Sequence, residues 1–184
     1  MTEARSGEGR SLRALRAAGL YAAALSLFFL PAVLGLGDFM YRDAGRMHGA
    51  HKRLIAEAWS HGEVPAWNPF GGLGFPLIAG AVDAPLHPFN ALLVLFPYGL
   101  AMALWVLASA LLAALGMRAW ALRLGTGEAP ALAAGFALAL GGYLVSSTDN
   151  FTYLTALASV PLLLAAGHRF AARGGASAAA ALAP

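Results

Sequence analysis

No cysteine occurs among the 184 residues, so the chain has neither a disulfide framework nor a thiolate metal site. That absence is compatible with an oxidising exterior and does not by itself place the chain there. Charge is scarce too. Asp, Glu, Lys and Arg make up 11% of the residues against 59% hydrophobic ones, and mean hydropathy is +0.66. A soluble domain of this length needs far more polar surface. No segment alternates with period two, which disfavours a β-barrel. There is no internal repeat, no P-loop and no G-x-S-x-G elbow. Gly71-Gly72-Leu73-Gly74 has no GK[ST] helix after it and reads as flexible turns. Four of the five histidines (His48, His51, His61 and His87) fall between two apolar runs, but no HxxxH pair is among them. Metal sites usually need three or more converging ligands, so no metal and no cofactor is expected.

What the chain does have is long apolar runs. They cover Ala17 to Gly37, Phe89 to Met117, Pro130 to Ser147 and Phe151 to Gly167. About 20 apolar residues cross a bilayer core as a helix, and backbone in lipid must satisfy its own hydrogen bonds. The fold class expected is therefore an all-α, polytopic helical membrane protein with about four spans. Pro31 predicts a kink in the first span. Pro97-Tyr98-Gly99 splits the overlong second run into a short interfacial or re-entrant helix over Phe89 to Phe96 and a span over about Leu100 to Leu122. The chain reads as a single membrane domain. Residues 1–16 form a cytoplasmic tail, disordered over Met1 to Ser11, and residues 17–37 form the first span. Residues 38–90 are a long external loop, residues 91–173 hold three further spans, and residues 174–184 are a tail or the start of another helix.

Orientation follows from the arginines. Arg5, Arg10, Arg13 and Arg16 precede the first span, Arg118 and Arg123 follow the second, and Arg169 and Arg173 follow the fourth. With four spans, all eight fall on one side, which the positive-inside rule makes cytoplasmic. Both termini are then cytoplasmic and the protein is a multi-pass cell-membrane protein. The basic start is read as a retained signal anchor, because its apolar run exceeds a cleavable h-region. A pI near 9.7 suggests nucleic acid at first sight, but basic residues that bracket spans explain it better, and no nucleic acid is expected.

The external loop has two parts. Ala44 to Glu63 predicts a partly amphipathic helix, with Met47, Ala50, Leu54 and Ala58 on its apolar face and Trp59 near headgroup depth. Gly62 and Pro65 end it. Pro65 to Asn90 is broken by prolines and glycines, yet it is rich in aromatic and aliphatic residues. It is expected to pack as a lid, with Trp59, Trp67 and Phe75 substantially buried.

Candidate chemistry concentrates in the same loop. Asp38 is the first charge after the first span, with Arg42 and Asp43 close behind. A carboxylate at the edge of low dielectric can serve as a general base; the plain alternative is that Asp38 only marks the helix end in water. Arg46, Lys52 and Arg53 could meet a lipid phosphate at headgroup depth, or form an ordinary solvated face in which Arg53 pairs with Glu57. Asp83 lies inside the apolar, proline-rich stretch, an awkward place for a solvent residue and a better one for a site. Asp149-Asn150 reads as turn chemistry.

These elements together resemble the bacterial YfhO-like membrane proteins. The residues that carry the likeness are Asp38, Trp67-Asn68-Pro69, Gly74-Phe75-Pro76 and Pro85-Leu86-His87-Pro88-Phe89-Asn90, followed by Gly141-Gly142-Tyr143, Asn150 and Pro161-Leu162. The resemblance covers roughly Leu20 to Arg173. It implies kinship with the GT-C glycosyltransferase superfamily, whose enzymes take a sugar from a polyprenyl-phosphate carrier on the outer face of the membrane. It implies Asp38 as catalytic base, with Asp43 second. Arg42, Arg46, Lys52, Asp83, Trp67 and Asn68 are then substrate-binding candidates. The implied partners are membrane lipid and a polyprenyl-phosphate-linked sugar. Family members are several times longer, so the chain is expected to be an N-terminal portion that is inactive alone and completed by the remainder of a longer protein. The alternative is a non-catalytic membrane subunit, scaffold or carrier-lipid-binding protein.

Overall fold

The computed structural model describes residues 2–37, 39, 41–80 and 83–172; the side chains of residues 2–8, 10 and 80 lie outside the description. The chain is an all-α helical membrane protein. Among the described residues, three helical segments are long and apolar enough to cross a bilayer: Tyr98–Arg123, Glu128–Asp149 and Phe151–Phe170. They match the second, third and fourth apolar runs.

The first run behaves differently. Helix α1 spans Thr2–Phe28, so its start is helical where a disordered tail was expected. Good helix formers such as Glu3, Ala4, Arg5, Leu12 and Ala14 account for that. It carries Arg13 and Arg16 before the apolar part opens at Ala17. At Phe29 the backbone leaves the helix (φ −94, ψ 16), and α2 restarts over Leu30–Val33 with Pro31 in its first turn. Proline lacks the N–H that a continuous helix needs and clashes with the carbonyl four residues back, so the expected kink is a break. Gly35, at φ 70, closes α2.

A five-residue π-turn, Ala44–His48, leads into α3, Gly49–Ser60. Gly62, at φ 71, ends it as expected. Two short strands follow, β1 (Trp67–Asn68) and β2 (Phe75–Pro76), paired antiparallel as Trp67↔Pro76 and Asn68↔Phe75. Helix α4 covers Leu77–Gly80. A 3₁₀ turn at Pro88–Asn90 runs into α5, Ala91–Leu95, which stops as Phe96 turns extended before Pro97. The remaining helices are α6 (Tyr98–Arg123), α7 (Glu128–Ala139), α8 (Gly142–Ser146), a 3₁₀ turn at Ser147–Asp149, and α9 (Phe151–Phe170).

The residues group into two compact units. One holds Met1–Leu25, Ala110–Gly141 and Leu157–Pro184; the other holds Ser26–Ser109 and Gly142–Ala156. The first is built on small side chains, as close helix packing in lipid favours. Ala17, Tyr21 and Leu25 form one buried stripe of α1, and Ala113, Ala114, Ala131, Ala139 and Ala158 are buried on other helices. Tyr21 donates its hydroxyl to the Leu132 carbonyl at 2.9 Å and sets its ring edge-on to Phe136, 4.7 Å between centroids. Gly135 makes this possible. A Cβ there would strike the Tyr21 hydroxyl and stand 2.7 Å from the Ala114 carbonyl oxygen.

The second unit has a larger-grained core of Trp105, Phe151, Met102, Leu144, Leu154 and Ile55. Helix α3 and the π-turn before it turn a different set of residues inward from the expected apolar face. The buried residues are Ala44, His48, Gly49, Lys52 and Ile55, while Met47 and Ala50 are exposed. Of the three loop aromatics expected to be substantially buried, none is fully enclosed. Trp59 and Phe75 are half-buried, and the Trp59 indole N–H donates to the Pro85 carbonyl at 3.1 Å. Trp67 is 53% exposed, because its indole lies across Gly74 on the outside of the strand pair. Phe70 and Leu73, at the turn between the strands, are exposed as well.

Candidate functional site

His48, the last residue of the π-turn, lines up with Lys52 and Ile55 of α3 along one face, at i, i+4 and i+7, with His51 beside them. The proline-rich segment covers that face. Ala84 adopts a left-handed backbone, φ 45, which is costly for a residue with a Cβ. The turn is closed by His87 N–H to Ala84 C=O at 3.0 Å. Through it, the side chain and carbonyl of Asp83 both address α3.

The Asp83 carboxylate bridges the two histidines. Its oxygens accept from Nδ1 of His48 and Nδ1 of His51, each at 2.5 Å. Both ring nitrogens therefore carry their proton on the Asp83 side. The Lys52 ammonium donates to the Asp83 carbonyl at 2.6 Å and to Asn90 Oδ1 at 3.0 Å. It lies 3.7 Å from the centroid of Trp105 and 5.6 Å from that of Phe151. Asn90 in turn donates Nδ2 to the carbonyls of Ala84 and Pro85, both at 2.9 Å. His48, Lys52 and Asn90 are completely buried.

Burial sets the protonation. It pushes the Lys52 ammonium down from 10.5 to about 7, against the pull of Asp83. Burial alone would raise the Asp83 carboxyl, but the two histidine hydrogen bonds, with the charge the rings carry when protonated, hold it below the usual carboxylate range. Burial, and then the Lys52 charge, lower His87.

The sequence-predicted candidates part company here. Lys52 and Asp83 come together, but as an internal lock: Lys52 is not the solvated or phosphate-facing cation its place in a polar loop suggested. Asn68 is buried and caps its own turn, accepting the Phe70 N–H at 2.9 Å. Asp43 and Arg46 are exposed. Arg42 is exposed, left-handed at φ 48, and stands 3.6 Å from the buried Asp149 carboxylate. Arg53 lies over the Tyr98 ring, 4.7 Å from its centroid. Asp38 lies outside the described residues.

The sequence reading had not joined His48, His51, Asn90, Trp105 and Phe151 to Lys52. One signal was present: His48, His51 and Lys52 sit within five residues, and Asp83 and Asn90 flank the same proline-rich turn. Among the described residues, no group of three or more His, Asp or Glu side chains is arranged to hold a metal ion. Both Asp83 oxygens are taken up by ring nitrogens. The His48 Nε2 is buried with no partner.

The fold and this cluster define a helical membrane protein with a locked polar segment ahead of three apolar helices. Comparison with protein-family models, curated proteins and solved structures finds no match to the chain.

Proposed function

We propose that this chain is the N-terminal part of a GT-C-like membrane glycosyltransferase, which moves a sugar from a polyprenyl-phosphate carrier on the outer face of the membrane. The termini are cytoplasmic and residues 38–90 are external in this reading. The observation that supports it is the convergence of the motif residues. Trp67-Asn68 and Phe75-Pro76 pair as strands, and Pro85 and Asn90 clamp the segment onto α3. Motif positions spread over Trp67 to Asn90 thus serve one local architecture.

Asp38 is the general base and Asp43 its second. The carboxylate takes the proton of an acceptor hydroxyl as that oxygen bonds to the anomeric carbon. The bond from that carbon to the carrier's phosphate oxygen breaks, and the lipid phosphate leaves with its electron pair. Arg42 and Arg46, both exposed, are the cations for the departing phosphate. Lys52 drops out of that role and holds the segment instead.

A second reading, a carrier-lipid-binding or scaffold subunit without catalysis, is favoured by one observation: Lys52, Asp83 and Asn90 turn their polar atoms on one another. One experiment separates the two. In native membranes, Asp38→Asn introduced at the chromosomal locus should abolish sugar transfer from a radiolabelled polyprenyl-phosphate donor while protein level and carrier binding persist. Undiminished transfer removes Asp38 and the glycosyltransferase reading. Carrier binding by the wild type with no transfer in its membranes supports the subunit reading.

A further inference from the structure

We propose that the basic cleft lined by Arg13 of α1, Arg118 and Arg123 of α6, and Glu128 of α7 binds the phosphate of an anionic lipid headgroup. The cleft belongs wholly to the first unit and measures about 590 Å³. That is room for a phosphodiester headgroup. Three guanidiniums face one carboxylate. Arg118, 8% exposed, spends its Nε and Nη2 on a single oxygen of Glu128, at 2.8 and 2.5 Å. Among the described residues of the cleft's lining, Glu128 is the one carboxylate, and Arg118 takes it.

The excess of positive charge continues next door. Arg123 also lines a smaller cleft of about 330 Å³ with His168, Arg169 and Ala172, where the His168 Nδ1 is buried without a partner. A simpler account is the helix dipole, which favours cations in the last turn. It covers Arg123 at the end of α6 and Arg169 at the end of α9. It does not cover Arg13, in the body of α1, or Arg118, more than a turn before the end of α6. The cleft lies at the ends of apolar helices, where a bilayer places its headgroups. Ala14, Ala119 and Leu122 supply apolar wall for the glycerol and upper acyl carbons. Basic pockets between membrane helices are known to take acidic headgroups by this chemistry.

The test uses the whole chain in phosphatidylcholine nanodiscs doped with phosphatidylglycerol, and native mass spectrometry counts retained lipid. Phosphatidylglycerol should be retained in preference to phosphatidylcholine. Arg13→Gln and Arg123→Gln, both at exposed positions, should each weaken retention roughly fivefold and multiply when combined. Glu128→Gln should strengthen it. Arg53→Gln, an exposed arginine of the other unit that lies over the Tyr98 ring, should leave it unchanged, and circular dichroism checks that each variant folds. Retention untouched by the double variant, an equal loss with Arg53→Gln, or equal retention of phosphatidylcholine would overturn the proposal. So would displacement of the lipid by millimolar inorganic phosphate, which would mark a soluble-phosphate site.

Discussion

Replacing Lys52 with methionine tests the polar lock most directly. Methionine keeps most of the stem packed against Trp105 and Phe151 and removes only the ammonium. Two buried acceptors, the Asp83 carbonyl and Asn90 Oδ1, then lose their donor. Each unpaired buried acceptor costs about 1–3 kcal/mol. An opposing term is the cost of keeping a charge out of water. The fall of Lys52 from 10.5 to about 7 corresponds to about 5 kcal/mol in favour of its neutral form. The two terms nearly offset at pH 6, where wild type and Lys52→Met should differ by no more than about 2 kcal/mol. They separate as pH rises. Between about pH 7 and 10.5 the folded protein has released the Lys52 proton and the unfolded chain still holds it. The state that binds more protons loses ground as pH increases, so the folded state gains. The advantage of wild type over Lys52→Met should therefore grow by about 1.4 kcal/mol per pH unit through that window, reaching about 4 kcal/mol near pH 10. Unfolding in mixed micelles with rising SDS fraction, followed by ellipticity, measures it. A difference that is flat with pH, or that shrinks, would refute the buried, depressed ammonium.

The Asp83→Asn variant should lose about 3 kcal/mol at neutral pH, since each charge-assisted bond to His48 and His51 contributes about 1.5–3 kcal/mol. Its deficit relative to wild type should vanish in acid, because a carboxyl held low in the folded state stabilises above 3.8 and ceases to do so as pH falls through its folded value. The Gly135→Ala variant should destabilise by about 1–3 kcal/mol, and adding Tyr21→Phe should recover only part of it, since the Ala114 carbonyl still opposes the new methyl. Thermal melts of both would decide, and full recovery would contradict the packing. For topology, single cysteines at Ser60 and Ser177 should respond oppositely to an impermeant thiol reagent added outside; labelling at Ser177 alone would invert the proposed orientation.

The three apolar helices were legible because span length and lack of charge are one-dimensional properties of sequence. Tyr98–Arg123, Glu128–Asp149 and Phe151–Phe170 fall where Pro97, the Gly125 turn and Asn150 punctuate the runs. The break at Phe29 was harder. Pro31 shows that something must yield, but a kinked helix and an interrupted one carry the same proline, and only the neighbouring backbone decides between them. The disposition of the loop side chains was the least legible part. Asn68 sits in an exposed-looking W-N-P stretch, yet it caps its own turn from a buried position.

Helix α3 explains why. Amphipathicity assumes that polar residues seek water, and it groups Met47, Ala50, Leu54 and Ala58 as the apolar face of the helix. The structure buries His48 and Lys52 instead, because another segment of the same chain brings matching groups: a carboxylate for two imidazoles, and a carbonyl and an amide oxygen for an ammonium. Once those pairs form, burying polar atoms costs little more than burying apolar ones, and the face with more bonds to make goes inside. In a chain where lipid can cover an exposed Met47 or Leu86, the usual penalty for turning apolar side chains outward is also weaker. Partner availability, not hydrophobic period, chose the buried face of α3. The partners lie about 30 residues away, beyond reach of any windowed pattern, and they are aimed by one left-handed alanine, Ala84.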